Sequence, residues 1–262
     1  MCILPNGVGT LNPVCLIRKT WVISMVQMKP QAEHRVAATL KGVQVPASPH
    51  LGAELRAALA RGAYEAEEIA GALHVVRPGD RVLEMGAGLG IVGAVVGVCA
   101  RPSRLVAYEA NPALLEAIQA IYAINGLEGS HEVRNRLLMS APDAPPSLPF
   151  HVHKSFLGSS LSDLGAYTKD TVEIETESFE QVQQDLRPDV LLVDIEGAER
   201  GFLRHADLRG VRAIVMEFHP EAYGRWGMLE CKFRLYRAGF RPVRAHSHRT
   251  VWTCLKRPHP SA

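Results

Sequence analysis

Five side chains with acid–base capacity fall in two short stretches. In "LLVDIEGAERGFL" Asp194 ends an apolar run, and Glu196 and Glu199 follow in the turn and opening helix. In "VMEFHP" Glu217 and His219 hold the matching place after the next apolar run. Carboxylates around an imidazole can do acid–base work or hold a divalent cation. An acid near a helix N-terminus is favoured by the helix dipole alone, which accounts for Glu196 or Glu199 taken singly. It does not account for the group, because Glu217 and His219 arrive on a different element. His219 is the first candidate for a base, since a free imidazole titrates at about pH 6.5. Asp194 is the second. The acids could instead bind magnesium, with Asp194, Glu196 and Glu217 as oxygen ligands.

A second chemical stretch is "RVLEMGAGLGIVG", Arg81 to Gly93. Gly88, Gly90 and Gly93 match the dinucleotide pattern, and Glu109 follows where an acid could take ribose hydroxyls. That reading gives NAD. The register gives another. "RVLEM" ends at Met85, so the first turn glycine is Gly86, and Gly86, Gly88 and Gly90 alternate strictly. Glycines there let the backbone turn tightly and approach a ligand. Glu84 stands at the strand's end. A carboxylate is poorly placed beside a pyrophosphate and well placed beside a cation. S-adenosylmethionine carries a sulfonium and an ammonium and no phosphate, so it suits Glu84 better than NAD does. One carboxylate, Glu109, can accept from both ribose hydroxyls under either cofactor. Asn111 caps the next helix before Pro112 and could also touch the ligand.

The elements that must position these residues alternate strand and helix. Helices are expected at 51–61 and 63–76, stopped by "RPGD". Strands are expected at "RVLEM", "RLVAYEA", "HEVRNRLLM", "DVLLVDI" and "VRAIVMEF", with helices at 89–99, 111–126 and 222–238. "FRPVRAHS" and "TVWTCLKR" can close the sheet as an antiparallel pair. This pattern predicts an α/β fold with an open, doubly wound sheet. Residues 29–50 read as an irregular segment. Residues 139–187 break the rhythm with a proline-rich stretch, the polar "FLGSSLSDLG" and an extra strand in "DTVEIETESF". Loops past the C-terminal strand ends commonly hold substrate, so this insertion is the candidate recognition element. The expected organisation is an N-terminal arm over 1–50 and one catalytic domain over 51–262.

Composition excludes several classes. The chain has 262 residues, 47% of them apolar and 21% charged, with a formal charge of +2. No basic block supports a nucleic-acid groove. The five cysteines (Cys2, Cys15, Cys99, Cys231, Cys254) form no CxxC pair, so neither a disulfide framework nor a zinc cluster is indicated. A reducing compartment fits, and the cytoplasm is the expected location. The uncharged run Met85–Ala100 is too short and glycine-rich to span a bilayer. The apolar first 28 residues carry no basic residue before Arg18, the wrong order for a secretory signal.

With "YEAEEI", "VLEMGAGLGIVG", "YEANP", "NG" at 125–126, "LLVDIEGAE" and "IVMEFHP" together, the chain resembles the FkbM-type methyltransferases, a branch of the class I S-adenosylmethionine-dependent enzymes. The stretches run from about Tyr64 to Pro220, and "DIEGAE" is the most specific. The resemblance implies a Rossmann-like sheet of seven strands with the last antiparallel. It implies methyl transfer to a hydroxyl oxygen of a sugar, polyketide or related metabolite. Glu84, Gly86, Gly88 and Gly90 then form the cofactor's methionine-side loop, Glu109 binds ribose, and Asp194 and Glu196 are the acidic pair near the reaction centre. The partner is a small molecule or a glycan. Two departures stand out: relatives often read D-x-G-A-N-x-G where this chain has "EMGAGLG", and residues 139–165 match nothing in the family. An NAD-dependent oxidoreductase and a non-catalytic protein of the same fold are the alternatives.

Overall fold

The computed structural model describes residues 35–153 and 168–257. In chain order the elements are β1 (Val36–Leu40), β2 (Val43–Pro46), α1 (Ala53–Ala60), α2 (Ala66–Val75), β3 (Arg81–Met85), α3 (Ile91–Ala100), β4 (Arg104–Tyr108), α4 (Leu115–Ile124), β5 (His131–Arg134), β6 (Leu137–Met139), β7 (Ser147–His153) and β8 (Thr168–Ser178). They continue with α5 (Phe179–Leu186), β9 (Val190–Val193), α6 (Glu199–His205), β10 (Ala213–Glu217), α7 (Pro220–Arg237), β11 (Phe240–Pro242) and β12 (Val251–Lys256).

Seven strands form the central sheet in the order β11-β12-β10-β9-β3-β4-β5. β3 runs parallel to β4 and β9, β4 to β5, and β9 to β10. β12 is antiparallel to both of its neighbours. This is the open, doubly wound sheet that the strand–helix alternation predicts, and it has the Rossmann-like arrangement of seven strands with an antiparallel last strand that the resemblance implies. Its strands read as continuous apolar runs because both faces are covered. In β9, Val190 and Leu192 face one helical layer while Leu191 and Val193 face the other. β10 divides in the same way, Ala213 and Val215 against Ile214 and Met216. The first layer brings Ile69 of α2, Val95 of α3 and Ile118 of α4; the second brings Phe179 of α5, Phe202 of α6 and Leu235 of α7. Each such side chain, fully buried, contributes about 1.5–3 kcal/mol.

Three details differ from the reading by pattern. The 29–50 segment holds the β1–β2 hairpin, whose turn Lys41–Gly42 takes positive φ at both residues. Its Leu40, Val43 and Val45 join the main core. A short hairpin with one buried side carries too few alternations to stand out from loop. "HEVRNRLLM" is two strands rather than one. The chain leaves the main sheet at Asn135, whose side chain donates to the Glu109 and Ala110 carbonyls, and Leu137–Met139 pairs instead with β8. The insertion is more regular than expected: β6, β8 and β7 make a three-stranded sheet, and α5, which follows β8, packs Phe179, Val182 and Leu186 into the core of the main sheet. "FLGSSLSDLG" and the apolar first 28 residues lie outside the described residues. Among the described residues, no helix is long and apolar enough to cross a membrane.

Candidate functional site

The C-terminal ends of β3, β4 and β9 converge on one cleft of about 1020 Å³, and Glu217 and His219, past the end of β10, stand behind its Asp194 and Glu196 wall. Tyr64, Gly86, Gly88, Glu109, Asp194 and Glu196 line it from the main domain, while Arg136, Leu138, Met139 and Phe150 line it from the edge of the insertion. Ion pairs hold the insertion there: Arg134 to Glu177 at 2.9 Å, and Arg136 to Glu175 and, at 4.0 Å, to Glu177.

The glycine loop is built by close approach. Strand β3 ends at Met85, and Gly86 turns at φ 84° with its N–H donating to the Tyr108 carbonyl at 2.9 Å. A Cβ on Gly86 would lie 1.6 Å from the Asp194 carbonyl oxygen. The loop after β3 and the end of β9 therefore touch backbone to backbone, which draws the glycine loop and the acidic stretch into one site. Gly86→Ala is expected to cost about 3 kcal/mol or more, from overlap and a positive φ together; denaturant melts measure it. Gly90 serves packing instead, since a Cβ there would meet Ile118 of α4 at 2.8 Å. A Cβ on Gly88 would meet only the Tyr64 hydroxyl, at 3.9 Å, so this glycine faces open space.

Glu109 sits just past β4 and is 7% exposed. Its Oε2 accepts from the Gly88 N–H at 2.8 Å and its Oε1 from the Asn111 N–H at 2.7 Å. Asn111 in turn caps the following turn, accepting from the Ala113 N–H at 3.1 Å, and does not line the cleft. Burial pushes the Glu109 carboxyl up to about 7, against the lowering effect of those N–H donors.

Glu84 points the other way. It lies on the α3 face of the sheet, 3% exposed, beside Gly93 and Tyr122, and lines a second, smaller cavity of about 300 Å³ with Glu68 and Asp194. Alternation along β3 places it there: Val82 and Glu84 share one face, Leu83 and Met85 the other. Burial raises its carboxyl to about 8. An acid raised in the folded state holds its proton there, and that stability is lost as pH rises from about 4.5 towards 8. Glu84→Gln is therefore expected to gain on the parent by up to about 1.4 kcal/mol per pH unit across that window, read from melts at pH 5.5, 7 and 8.5.

The acidic stretch meets "VMEFHP" as the spacing suggests. Glu199, fully buried at the start of α6, accepts from the Gly197 N–H at 3.0 Å and stands 2.9 Å from His219 Nδ1. The other ring nitrogen, Nε2, faces Glu196 at 3.3 Å and Asp194 at 3.5 Å. The Tyr223 hydroxyl accepts from the His219 N–H at 2.7 Å and fixes the loop. Burial alone would lower the His219 pKa; the hydrogen bond to Glu199 and the charges of Glu199, Asp194 and Glu196 outweigh it and raise it to about 9. Asp194 is pushed well above the usual carboxylate range by burial, then by Glu196 and Glu217.

Three residues of the cleft have no place in the pattern-based set: Tyr64, Glu65 and Glu68. They belong to "YEAEEI", one of the stretches that carries the resemblance, so the signal was present without a role attached. Ligand atoms of Glu65, Glu68 and Glu217 lie within 4.8 Å of one another, as do those of Asp194, Glu217 and His219. Glu217 thus joins two adjacent groups. Glu68 is raised well above its ordinary value by burial and then by Asp194 and Glu65. Glu68 Oε1, Asp194 Oδ1 and Glu199 Oε2 are buried without a hydrogen-bond partner. Glu65 and Glu196 adopt left-handed backbone, φ 42° and 49°. Such conformations are costly for residues other than glycine and persist where surrounding structure imposes them.

No curated protein matches the chain. Solved structures similar to it include the precorrin-6y C5,15-methyltransferase of Geobacter metallireducens GS-15, at 14% identity over 74% of this chain and 87% of that one, with a TM-score of 0.43. TYW2 of P. horikoshii, in complex with MeSAdo, is 13% identical over 83% and 67% of the two chains, with a TM-score of 0.43. The ribosomal protein L11 methylase of Lactobacillus delbrueckii subsp. bulgaricus is 12% identical over 76% and 80%, with a TM-score of 0.42. The model of the methyltransferase FkbM domain matches residues 85–252, from the end of β3 into β12, and with most of its length inside that match the chain belongs to the FkbM family of S-adenosylmethionine-dependent methyltransferases.

Proposed function

We propose that this methyltransferase acts on a hydroxyl oxygen of a small molecule or glycan, with His219 and the acids around it forming the reaction centre. The observation that carries this reading is the buried Glu199–His219 pair, whose free nitrogen points at Asp194 and Glu196 on the wall of the cleft. Family membership sets aside the NAD reading of Gly88, Gly90 and Gly93.

The chain's residues fit the cofactor. Each Glu109 oxygen spends one acceptor site on a backbone N–H and keeps another for a ribose hydroxyl. The open face of Gly88 leaves room beside it, and Glu68 Oε1, buried without a hydrogen-bond partner, suits a cationic group. Among the described residues, no lysine or arginine pairs with Glu65, Glu68, Asp194 or Glu217. Asn111 supports Glu109 from behind. Glu84 acts through the floor of the loop rather than by contact. When bound, S-adenosylmethionine supplies an electrophilic methyl on its sulfonium.

The acceptor's proton is assigned to His219 Nε2. Glu199 holds Nδ1–H and so fixes the tautomer and the ring's direction. Asp194 and Glu196 orient the acceptor hydroxyl and stabilise the imidazolium that forms. Before ligands arrive, those same carboxylates keep the ring protonated. Positive charge entering beside them offsets their field and lowers the ring towards neutrality. The insertion wall of Leu138, Met139 and Phe150 selects the acceptor.

A second reading has its own observation. Asp194, Glu217 and His219 group tightly enough to share one ion, and Glu199 at Nδ1 is the outer partner that metal-bound histidines commonly have. Glu196 is outside this trio, so an ion here takes one nitrogen and two carboxylates. That donor set suits manganese or zinc better than magnesium. One experiment separates the readings. Acceptors from a panel of sugars and hydroxylated metabolites are scored by release of S-adenosylhomocysteine, before and after EDTA, with Mn2+ or Mg2+ restored. Turnover unchanged by EDTA, with no Mn2+ bound by electron paramagnetic resonance, assigns Nε2 to the proton. Loss and rescue assign it to the ion. No turnover with any hydroxyl acceptor, alongside turnover with an amine or thiol panel, overturns the hydroxyl assignment.

A further inference from the structure

Helix α7 carries an exposed row of large apolar side chains. Trp226 is 84% exposed, Leu229 51%, Phe233 61% and Tyr236 44%. Their spacing of three, four and three residues puts them on one face of the helix. Only one other large apolar side chain among the described residues is exposed, Val36. Single exposed apolar residues are ordinary; an aligned row of four is not. The opposite face of α7 is satisfied, with Met228, Cys231 and Leu235 in the core.

The charges around the row have one sign. Arg225 and Arg237 are exposed at its margins and pair with no carboxylate among the described residues. Arg241 stacks over the Tyr236 ring at 4.3 Å, and Lys232 lies over the Trp252 ring at 4.5 Å. The nearby acid, Glu230, is taken up by Arg200, Arg204 and Arg234. Glu221 lies in the first turn, before the break at Gly224 (φ 73°), and so off the straight part of the helix. Beyond that break the exposed face holds Trp, Leu, Phe, Tyr and two arginines, with no carboxylate.

We propose that this face of α7 docks the enzyme on an anionic lipid bilayer, lying in the interface with the aromatic row among the acyl-chain boundary and the arginines on the headgroups. The chemistry is that of interfacial helices: a bulky apolar face with Trp and Tyr, and basic residues whose stems run along it and whose heads reach the phosphates. Binding uses α7 alone and needs no spanning segment. Helix α7 starts at Pro220, directly after His219, so the docked face belongs to the element that also carries the loop of the reaction centre.

The test is co-sedimentation of the full chain with vesicles of phosphatidylcholine alone or with phosphatidylglycerol. The parent is expected to pellet with the anionic vesicles, to stay largely in solution with the neutral ones, and to be released as salt rises. Trp226→Ala/Phe233→Ala and Arg225→Glu/Arg237→Glu are each expected to weaken anionic binding at least about fivefold. Both should leave the melting temperature and S-adenosylhomocysteine affinity unchanged, because these side chains touch neither the core nor the cleft. A parent that ignores anionic vesicles overturns the proposal, and so does an aromatic double variant that binds them like the parent. A parent that is dimeric by sedimentation equilibrium, and made monomeric by Trp226→Ala/Phe233→Ala, assigns the face to a second copy and also overturns it.

Discussion

Asp194→Asn is expected to bind S-adenosylhomocysteine within a few-fold of the parent while transferring methyl groups at least ~10²-fold more slowly, the usual scale for an acid–base or orienting group. The substitution keeps the shape of the side chain and removes its charge 3.5 Å from His219 Nε2. Glu109 and the glycine loop keep their own hydrogen bonds, so their side of the cleft stays formed. Stability separates this role from a structural one. Burial and the neighbouring Glu196 and Glu217 raise the Asp194 carboxyl, so its ionisation opposes folding increasingly as pH rises above its ordinary value. Asparagine removes that cost, and the variant should be no less stable than the parent at pH 7 and relatively more stable at pH 8. A structural acid would show the reverse, loss of stability with turnover spared. Full turnover in Asp194→Asn would remove this residue from both the proton-transfer and the ion-binding readings.

Glu109→Ala is expected to weaken S-adenosylhomocysteine binding by about 2–4 kcal/mol, the order expected for a charge-assisted pair of hydrogen bonds. That corresponds to roughly 30- to 1000-fold in affinity. The fold should survive, because the Gly88 N–H lies at the cleft wall and can turn to water, and only the buried Asn111 N–H is left short of its acceptor. A pH profile gives an independent reading. The carboxyl sits at about 7 through burial, and only its ionised form accepts from two hydroxyls. Affinity in the parent should therefore fall as pH drops through 7, and the Ala variant should lack that slope. Calorimetric titrations at pH 6, 7 and 8 measure both. Equal affinity in parent and variant at all three would displace the ribose from Glu109.

Much of the fold and of the candidate site was readable along the chain because the candidate residues lie at strand ends. A strand buried on both faces favours apolar side chains along its length, and Glu109, Asp194 and Glu217 fall where their strands stop. Turn glycines mark the same boundary after β3. The strand–helix alternation then limits the topology to a doubly wound sheet, in which all these ends lie at one edge. What could not be read was direction. Glu84, one residue before the end of β3, belongs by sequence with the glycine loop, yet alternation turns it into the α3 layer beneath the cleft. The choice between Glu196 and His219 as partners of Asp194 and Glu217 is likewise a matter of distances across two strands, and the three-dimensional structure alone supplies those. The same holds for Tyr64, Glu65 and Glu68, which reach the cleft from α2 and the turn just before it, because local pattern reports which side faces the core and not what stands opposite. The insertion shows the limit most clearly. Its walls are aligned by Arg134 and Arg136 pairing with Glu177 and Glu175 some forty residues away, and long-range ion pairs leave no local pattern. Local sequence sets where backbone must bend and where apolar faces must be covered; which polar groups then meet depends on how separate elements pack, and only the folded structure decides it.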